Sequence, residues 1–100
     1  MTDIDVIEQP ERNRFVVEID GHEGEVTYVI DGSTLTIEHT SVPDELGGKG
    51  IAGKLVEAAV TKASTDGLTV VPRCPYAHRW LQRHPDAAAT VTIDWPPEPT

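Results

Sequence analysis

A single cysteine, Cys74, is all the chain of 100 residues carries, so no disulfide can close within it. Cysteine used this sparingly fits a reducing cytoplasm, the expected compartment. Basic residues are also scarce: 8 Lys and Arg face 17 Asp and Glu, for a formal net charge of -9. That balance disfavours nonspecific contact with nucleic acid or an anionic membrane, and neither is an expected partner. No apolar run approaches the ~18 residues a membrane-spanning helix needs. The opening "MTDIDVIEQPERN" is acidic and polar, unlike a secretory signal. No internal repeat interrupts the chain. Four histidines are present, but the spacing of His39, Cys74, His78 and His84 matches no common zinc pattern, and no metal is expected.

What the sequence does contain is one domain's worth of length, with 38% hydrophobic residues for a modest core. Residues 14–93 are expected to form it as a monomer, between a flexible segment at 1–13 and a proline-rich, mobile tail at 94–100. "RFVVEI" (14–19) and "EVTYVI" (25–30) alternate apolar and polar residues as half-buried strands do. Asp31-Gly32 is the strongest hairpin signal, and it leads into a third β-branched run at 33–42.

From Ile51 the period changes. Ile51, Ala52, Leu55, Val56, Ala59, Val60 and Ala63 form one apolar face of a helix, which Asp66-Gly67 ends. "LTVVP" (68–72) reads as a short strand. Pro75 opens a second helix carrying Ala77, Trp80, Leu81 and His84 on one face, and Pro85 stops it. "TVTI" (90–93) is a candidate last strand. The fold class is therefore a mixed α/β sheet: an antiparallel meander, then a βαβ unit with a right-handed parallel crossover, then a C-terminal helix.

Half of the eight glycines crowd into the turn between strand and helix, at Gly47, Gly48, Gly50 and Gly53. Glycines ahead of a helix let an anion approach backbone N–H groups that have no intrahelical partner. Lys49 adds positive charge there. Two readings stand at this point: a phosphate cradle, or a tight strand–helix connection. The stretch is neither a Walker loop, since Gly-Lys-Ser/Thr is missing, nor a full dinucleotide fingerprint.

Taken together, these residues resemble the GNAT superfamily of N-acetyltransferases, whose Q/R-x-x-G-x-G/A turn falls on Gly47, Gly48, Lys49, Gly50, Ile51 and Ala52. A subgroup of minimal GNAT-like proteins is still more similar. Its pattern is matched by His39-Thr40, Val42-Pro43, Glu45-Leu46, Gly48, Gly50-Ile51-Ala52 and Leu55, then by Val70, Pro72 and Cys74-Pro75-Tyr76. "RHPD" at 83–86 extends the likeness, which covers roughly residues 15–86. The resemblance implies acetyl-CoA as cofactor, its pyrophosphate at residues 47–52 and its pantetheine arm beside Val42, where two parallel strands part. Pro43 and Pro72, at the ends of those strands, cannot extend a ladder. It also implies an acceptor amine, whose identity is not encoded.

The chain departs from the family pattern at Gly47, where Q/R is usual, and at Trp80, the position matched to the usual catalytic tyrosine. Tyr76 lies one turn earlier. No strand carboxylate matches the usual base, because Glu38 has the opposite parity to Leu35, Ile37 and His39.

Two catalytic candidates remain. Cys74, at a helix N-terminus, is either a nucleophilic thiol or a small residue packed beside the cofactor. His39, expected to face the same layer as Leu35 and Ile37, is either a general base or a core histidine bonded to a carbonyl. The function classes in play are an acetyl-CoA-dependent N-acetyltransferase and a non-catalytic acyl-CoA-binding or interaction module on the same fold.

Overall fold

A computed structural model describes residues 5–47 and 50–96. Its five strands are β1 (Ile7–Gln9), β2 (Arg14–Ile19), β3 (His22–Asp31), β4 (Thr34–Ser41) and β5 (Thr69–Pro72), and its helices are α1 (Ile51–Asp66), α2 (Pro75–Arg83) and the short α3 (Pro85–Ala88). The sheet order is β1-β2-β3-β4-β5, antiparallel except for the β4–β5 pair. The meander follows from local turn chemistry. Asp31 closes against Thr34 around Gly32, which takes φ 61°. Asp20 and Gly21, both at positive φ, reverse the chain between β2 and β3.

The N-terminal segment differs from expectation. Residues 7–12, read from the sequence as part of a flexible segment, are the edge strand β1 and a 3-10 turn. Asn13 ends that turn in the left-handed region and hands the chain to β2. Ile7 pairs with Val16 and Gln9 with Arg14, whose guanidinium donates to the Gln9 and Glu25 side chains at 2.7 Å.

One face of the sheet is covered and the other is open. Phe15, Val17, Val26, Tyr28, Leu35 and Ile37 point into the covered face, where Leu55, Val56, Ala59 and Val60 of α1 meet them. Each buried Val, Leu, Ile or Phe among them contributes about 1.5–3 kcal/mol. The apolar stripe predicted for residues 51–63 is therefore the face α1 buries, and Gly67, at φ 69°, caps the helix as the sequence indicates.

β4 carries the feature that shapes the site. Thr27 pairs with His39, but the next residue of β3, Tyr28, pairs with Ile37, so Glu38 is left over as a bulge. One extra residue reverses the side-chain alternation beyond it. Thr40, opposite the buried Val26, thus takes the core side, and His39 is turned out to solvent. The expectation that His39 shares a layer with Leu35 and Ile37 is corrected by this bulge.

β5 runs parallel to β4 from Thr34–Thr69 to Ile37–Pro72 and no further. The Arg73 and Cys74 amides both donate to the Ile37 carbonyl at 3.1 Å, and the two chains then separate. The candidate strand at 90–93 is reduced to a single parallel bridge, Val70–Ile93. Val70 donates to the Thr92 carbonyl, and the Asp94 amide donates to the Val70 carbonyl, each at 2.9 Å. Trp95 rests edge-on against His78, ring centroids 5.1 Å apart. The start of the proline-rich tail is thus attached to the fold as far as Trp95.

Candidate functional site

Gly50 is the N-cap of α1, with φ 71° and ψ 16°. A side chain here would be strained by about 1–2 kcal/mol, which makes glycine the natural occupant. No side chain caps the helix, and its first turn holds no carboxylate. In a chain of net charge -9, that exclusion is informative. The first hydrogen bond into the helix is Lys54 N–H to the Gly50 carbonyl at 3.1 Å. Among the described residues, no acceptor meets the N–H groups of Ile51, Ala52 or Gly53. These amides and the helix dipole present a positive end.

The opening in front of them is a cleft of about 330 Å³, lined by Val42, Pro43, Leu46, Gly50, Ile51 and Tyr76, with Ala52 alongside and Asp44 the acidic group on its wall. Ile51 is buried, so its side chain anchors the helix while its backbone faces the cleft. Gly47 ends the preceding 3-10 turn, its amide donating to the Asp44 carbonyl at 2.9 Å; a Cβ there would sit 3.1 Å from that oxygen. A Cβ on Gly50 would meet nothing within 4 Å. Gly48 and Lys49 lie outside the described residues.

The cleft continues between α1 and α2. A second hollow of about 370 Å³ runs past Gly50, Gly53 and Lys54 to Trp80 and His84. Gly53 is what lets the helices come so near: a Cβ on it would lie 2.9 Å from Trp80 Nε1 and 3.5 Å from the Tyr76 hydroxyl. His84 stacks on Trp80, centroids 4.1 Å apart and 17° from parallel, and its Nδ1 is 2.7 Å from the Trp80 carbonyl. Tyr76 borders both hollows. Burial raises its pKa, Arg83 opposes that, and Cys74 adds to it. Its hydroxyl therefore keeps its proton at neutral pH. The sequence signal for Tyr76 was its place one helical turn before Trp80, which puts both on one face of α2.

Cys74 is the N-cap of α2 and is buried, 4% exposed. Its thiol is 3.4 Å from Thr40 Oγ1. Thr40, missed from the sequence, reaches this spot because the bulge turns it inward. Cys74 and His39 are not brought together: His39 faces out, with its carbonyl 3.5 Å from the Thr27 hydroxyl. What the fold does assemble is an uncapped helix start with a cleft in front of it and, outside that cleft's lining, a buried thiol where two parallel strands part.

Residues 14–91 match the family described as GCN5-related N-acetyl-transferase. The chain belongs to the GCN5-related N-acetyltransferase family. A solved relative agrees in architecture. The solution NMR structure of a GCN5-like candidate N-acetyltransferase from Staphylococcus aureus superposes with a TM-score of 0.70 at 28% identity, over 94% of this chain and 93% of that one. The mixed sheet read from the sequence is the fold of this GCN5-related chain. No helix among its described residues is long and apolar enough to cross a membrane.

Proposed function

We propose that the protein is an acetyl-CoA-dependent N-acetyltransferase acting on an amine of a small molecule or a protein. The observation that carries this reading is the start of α1: Gly50 in the left-handed region, uncapped amides at Ile51–Gly53, and a cleft in front of them. A diphosphate fits this donor set, because the amides are aligned and the first turn of α1 holds no carboxylate. Gly47, Gly50 and Ala52 keep the approach free of bulk, and the sequence adds Gly48 and the charge of Lys49 between them. On this reading the pantetheine arm runs beside Val42, which lines the cleft, toward the parting of β4 and β5. When bound, acetyl-CoA supplies an acetyl thioester.

The chain's own groups then have distinct tasks. The Tyr76 hydroxyl keeps its proton near neutrality and can give it to a departing thiolate. On this reading the buried Cys74 thiol packs against the acetyl position; where it instead accepts the acetyl group, its own Sγ proton, in place of the Tyr76 proton, ends on the departing thiolate. His39 stands on the opposite, open side of β4 and can take a proton from an incoming ammonium there. The acceptor, on this reading, approaches from the uncovered face.

A second reading has one specific support. Cys74 is buried and its thiol is engaged with Thr40, as expected of a packing residue in a CoA-binding module without transfer. Calorimetric titration with acetyl-CoA tests the shared premise, and turnover with a panel of amines separates the two readings. Gly50→Glu should abolish binding, whereas Gly50→Ala, with the same backbone strain and no carboxylate, should retain much of it. Equal affinities for wild type and Gly50→Glu would rule out the cradle.

A further inference from the structure

The face of the sheet away from α1 has no covering element, and the register shows what it displays. One row across the strands holds Gln9, Arg14, Thr27 and His39, and the next holds Val29, Thr36 and Val71. Val29 is 44% exposed. Charge in this half of the chain is nearly all of one sign. Residues 14–41 contain six Asp and Glu but a single Arg, whereas residues 49–83 contain six Lys and Arg against two Asp and Glu. Arg14 is shared between Glu23 at 3.2 Å and Glu25 at 2.7 Å, so that group stays negative. Glu18 pairs directly with Glu23, a like-charge match that costs the sheet stability. Glu18, Asp31 and Glu38 are exposed and meet no cation among the described residues. Along β3, Glu23 and Asp31 lie to either side of Thr27, the partner of His39. At ~3.3 Å per residue, each is roughly 13 Å away.

We infer that this open face docks the acceptor, and that the acceptor is a lysine-rich segment of polypeptide. The inference rests on the proposed transferase reading and goes beyond it by naming the class of amine. A short diamine reaches only one acidic end of the face. An extended segment with several lysines spans both ends and lays its methylene stems over the row of Val29, Thr36 and Val71. It thereby brings one ammonium to His39, where the bulge residue Glu38 is also exposed. Transfer there exchanges the acetyl carbon's bond to the CoA sulfur for one to the lysine nitrogen. Of the two protons the ammonium sheds, one ends on that sulfur and one leaves to solvent through His39. A second copy of the chain is a poor occupant, because two identical acidic faces repel. The separation of charge also steers an anionic donor and a cationic acceptor to different sides of the molecule.

The test is fluorescence anisotropy of the full chain with a labelled glycine–serine peptide that carries lysines at regular intervals. Wild type should bind it, and more weakly as salt rises. Glu18→Gln/Asp31→Asn should bind it roughly fivefold more weakly, the combined size of two exposed charge contacts. Glu11→Gln/Asp86→Asn, which has the same net charge but both changes outside the sheet, should bind as wild type does. Spermine should compete only weakly. In turnover, the sheet variant should raise KM for the peptide and keep kcat. A wild type that binds acetyl-CoA but not the peptide overturns this inference and leaves the cofactor reading standing. Equal losses in the two variants also overturn it, since net charge and not this face would then set affinity. Spermine binding as tightly as the peptide overturns the choice of polypeptide over small amine. A dimer in sedimentation that the sheet variant dissociates makes a second copy the occupant and overturns the inference. Peptide binding without any affinity for acetyl-CoA overturns the cofactor reading and keeps the docking face.

Discussion

Gly53→Ala tests the closeness of α1 and α2 with one methyl group. On intrinsic grounds alanine should stabilise α1, because glycine inside a helix costs about 1 kcal/mol relative to alanine. The structure opposes that gain. The new Cβ would lie 2.9 Å from Trp80 Nε1, closer than real Cβ contacts come. Trp80 cannot simply swing away, since it is only 8% exposed and carries the His84 ring on its face. Relieving such overpacking typically costs about 1–3 kcal/mol. The expected balance is a loss of roughly 1 kcal/mol, since the packing cost exceeds the propensity gain. For a domain of this size that is a fall in Tm of roughly 5 °C. Thermal unfolding followed by circular dichroism, with urea titration as an independent measure, reads it out. Repeating Gly53→Ala in a Trp80→Phe background isolates the cause. Without the indole N–H edge the methyl group should become neutral or stabilising, giving a coupling of roughly 1 kcal/mol. A rise in Tm for Gly53→Ala in the wild-type background would refute the reasoning.

Three other perturbations have defined outcomes. Lys49→Ala should weaken acetyl-CoA binding at low salt and less so as salt rises, because added ions screen a purely electrostatic contribution; a loss independent of salt in calorimetry would point to packing. Cys74→Ala should bind acetyl-CoA yet lose most acetyl transfer if the thiol is the acceptor, with Cys74→Ser keeping the size but not the nucleophile; wild-type turnover in Cys74→Ala would make the residue structural. Stability should fall at alkaline pH. Burial raises the pKa of Tyr28 and Tyr76, and the Glu8 carboxylate, 2.8 Å from the Lys62 ammonium, raises that of Lys62. All three groups hold protons more tightly folded than unfolded, so their contribution is complete below the ordinary value near 10 and is lost as pH climbs past it. Glu8→Gln should flatten the decline, as measured by Tm from pH 8 to 11.

Much of the fold was legible because it is written in local signals. The Asp31-Gly32 turn, the apolar face from Ile51 to Ala63 and the Gly67 stop each depend on a few neighbouring residues, and the structure has them all. β1 was not legible: three residues, Ile7–Gln9, are too few to show a period, and their strand character comes from pairing with β2. His39 illustrates a different limit. Its orientation depends on Glu38 having no partner in β3, a property of the pair of strands and not of either sequence. Parity counted along β4 alone was bound to fail past that point. At the site, the glycine turn stood out as a composition anomaly. Tyr76 was read as one turn away from the matched position when it in fact borders the cleft, because helix spacing fixes a face but not what lies opposite it.

The sheet order repeats the chain order, and that has a consequence for how the molecule comes together. β1 to β4 join through short turns between sequence neighbours, contacts that cost little loop entropy. Only the β4–β5 pair must wait for the whole of α1, since Thr34 meets Thr69. The parting of β4 and β5, the seat of Cys74 and the groove between the two helices all belong to this late, nonlocal step. The groove proposed to hold the cofactor thus depends on the contacts of longest sequence separation in the sheet, and a variant that weakens docking of β5 should loosen that groove before it loosens the hairpins.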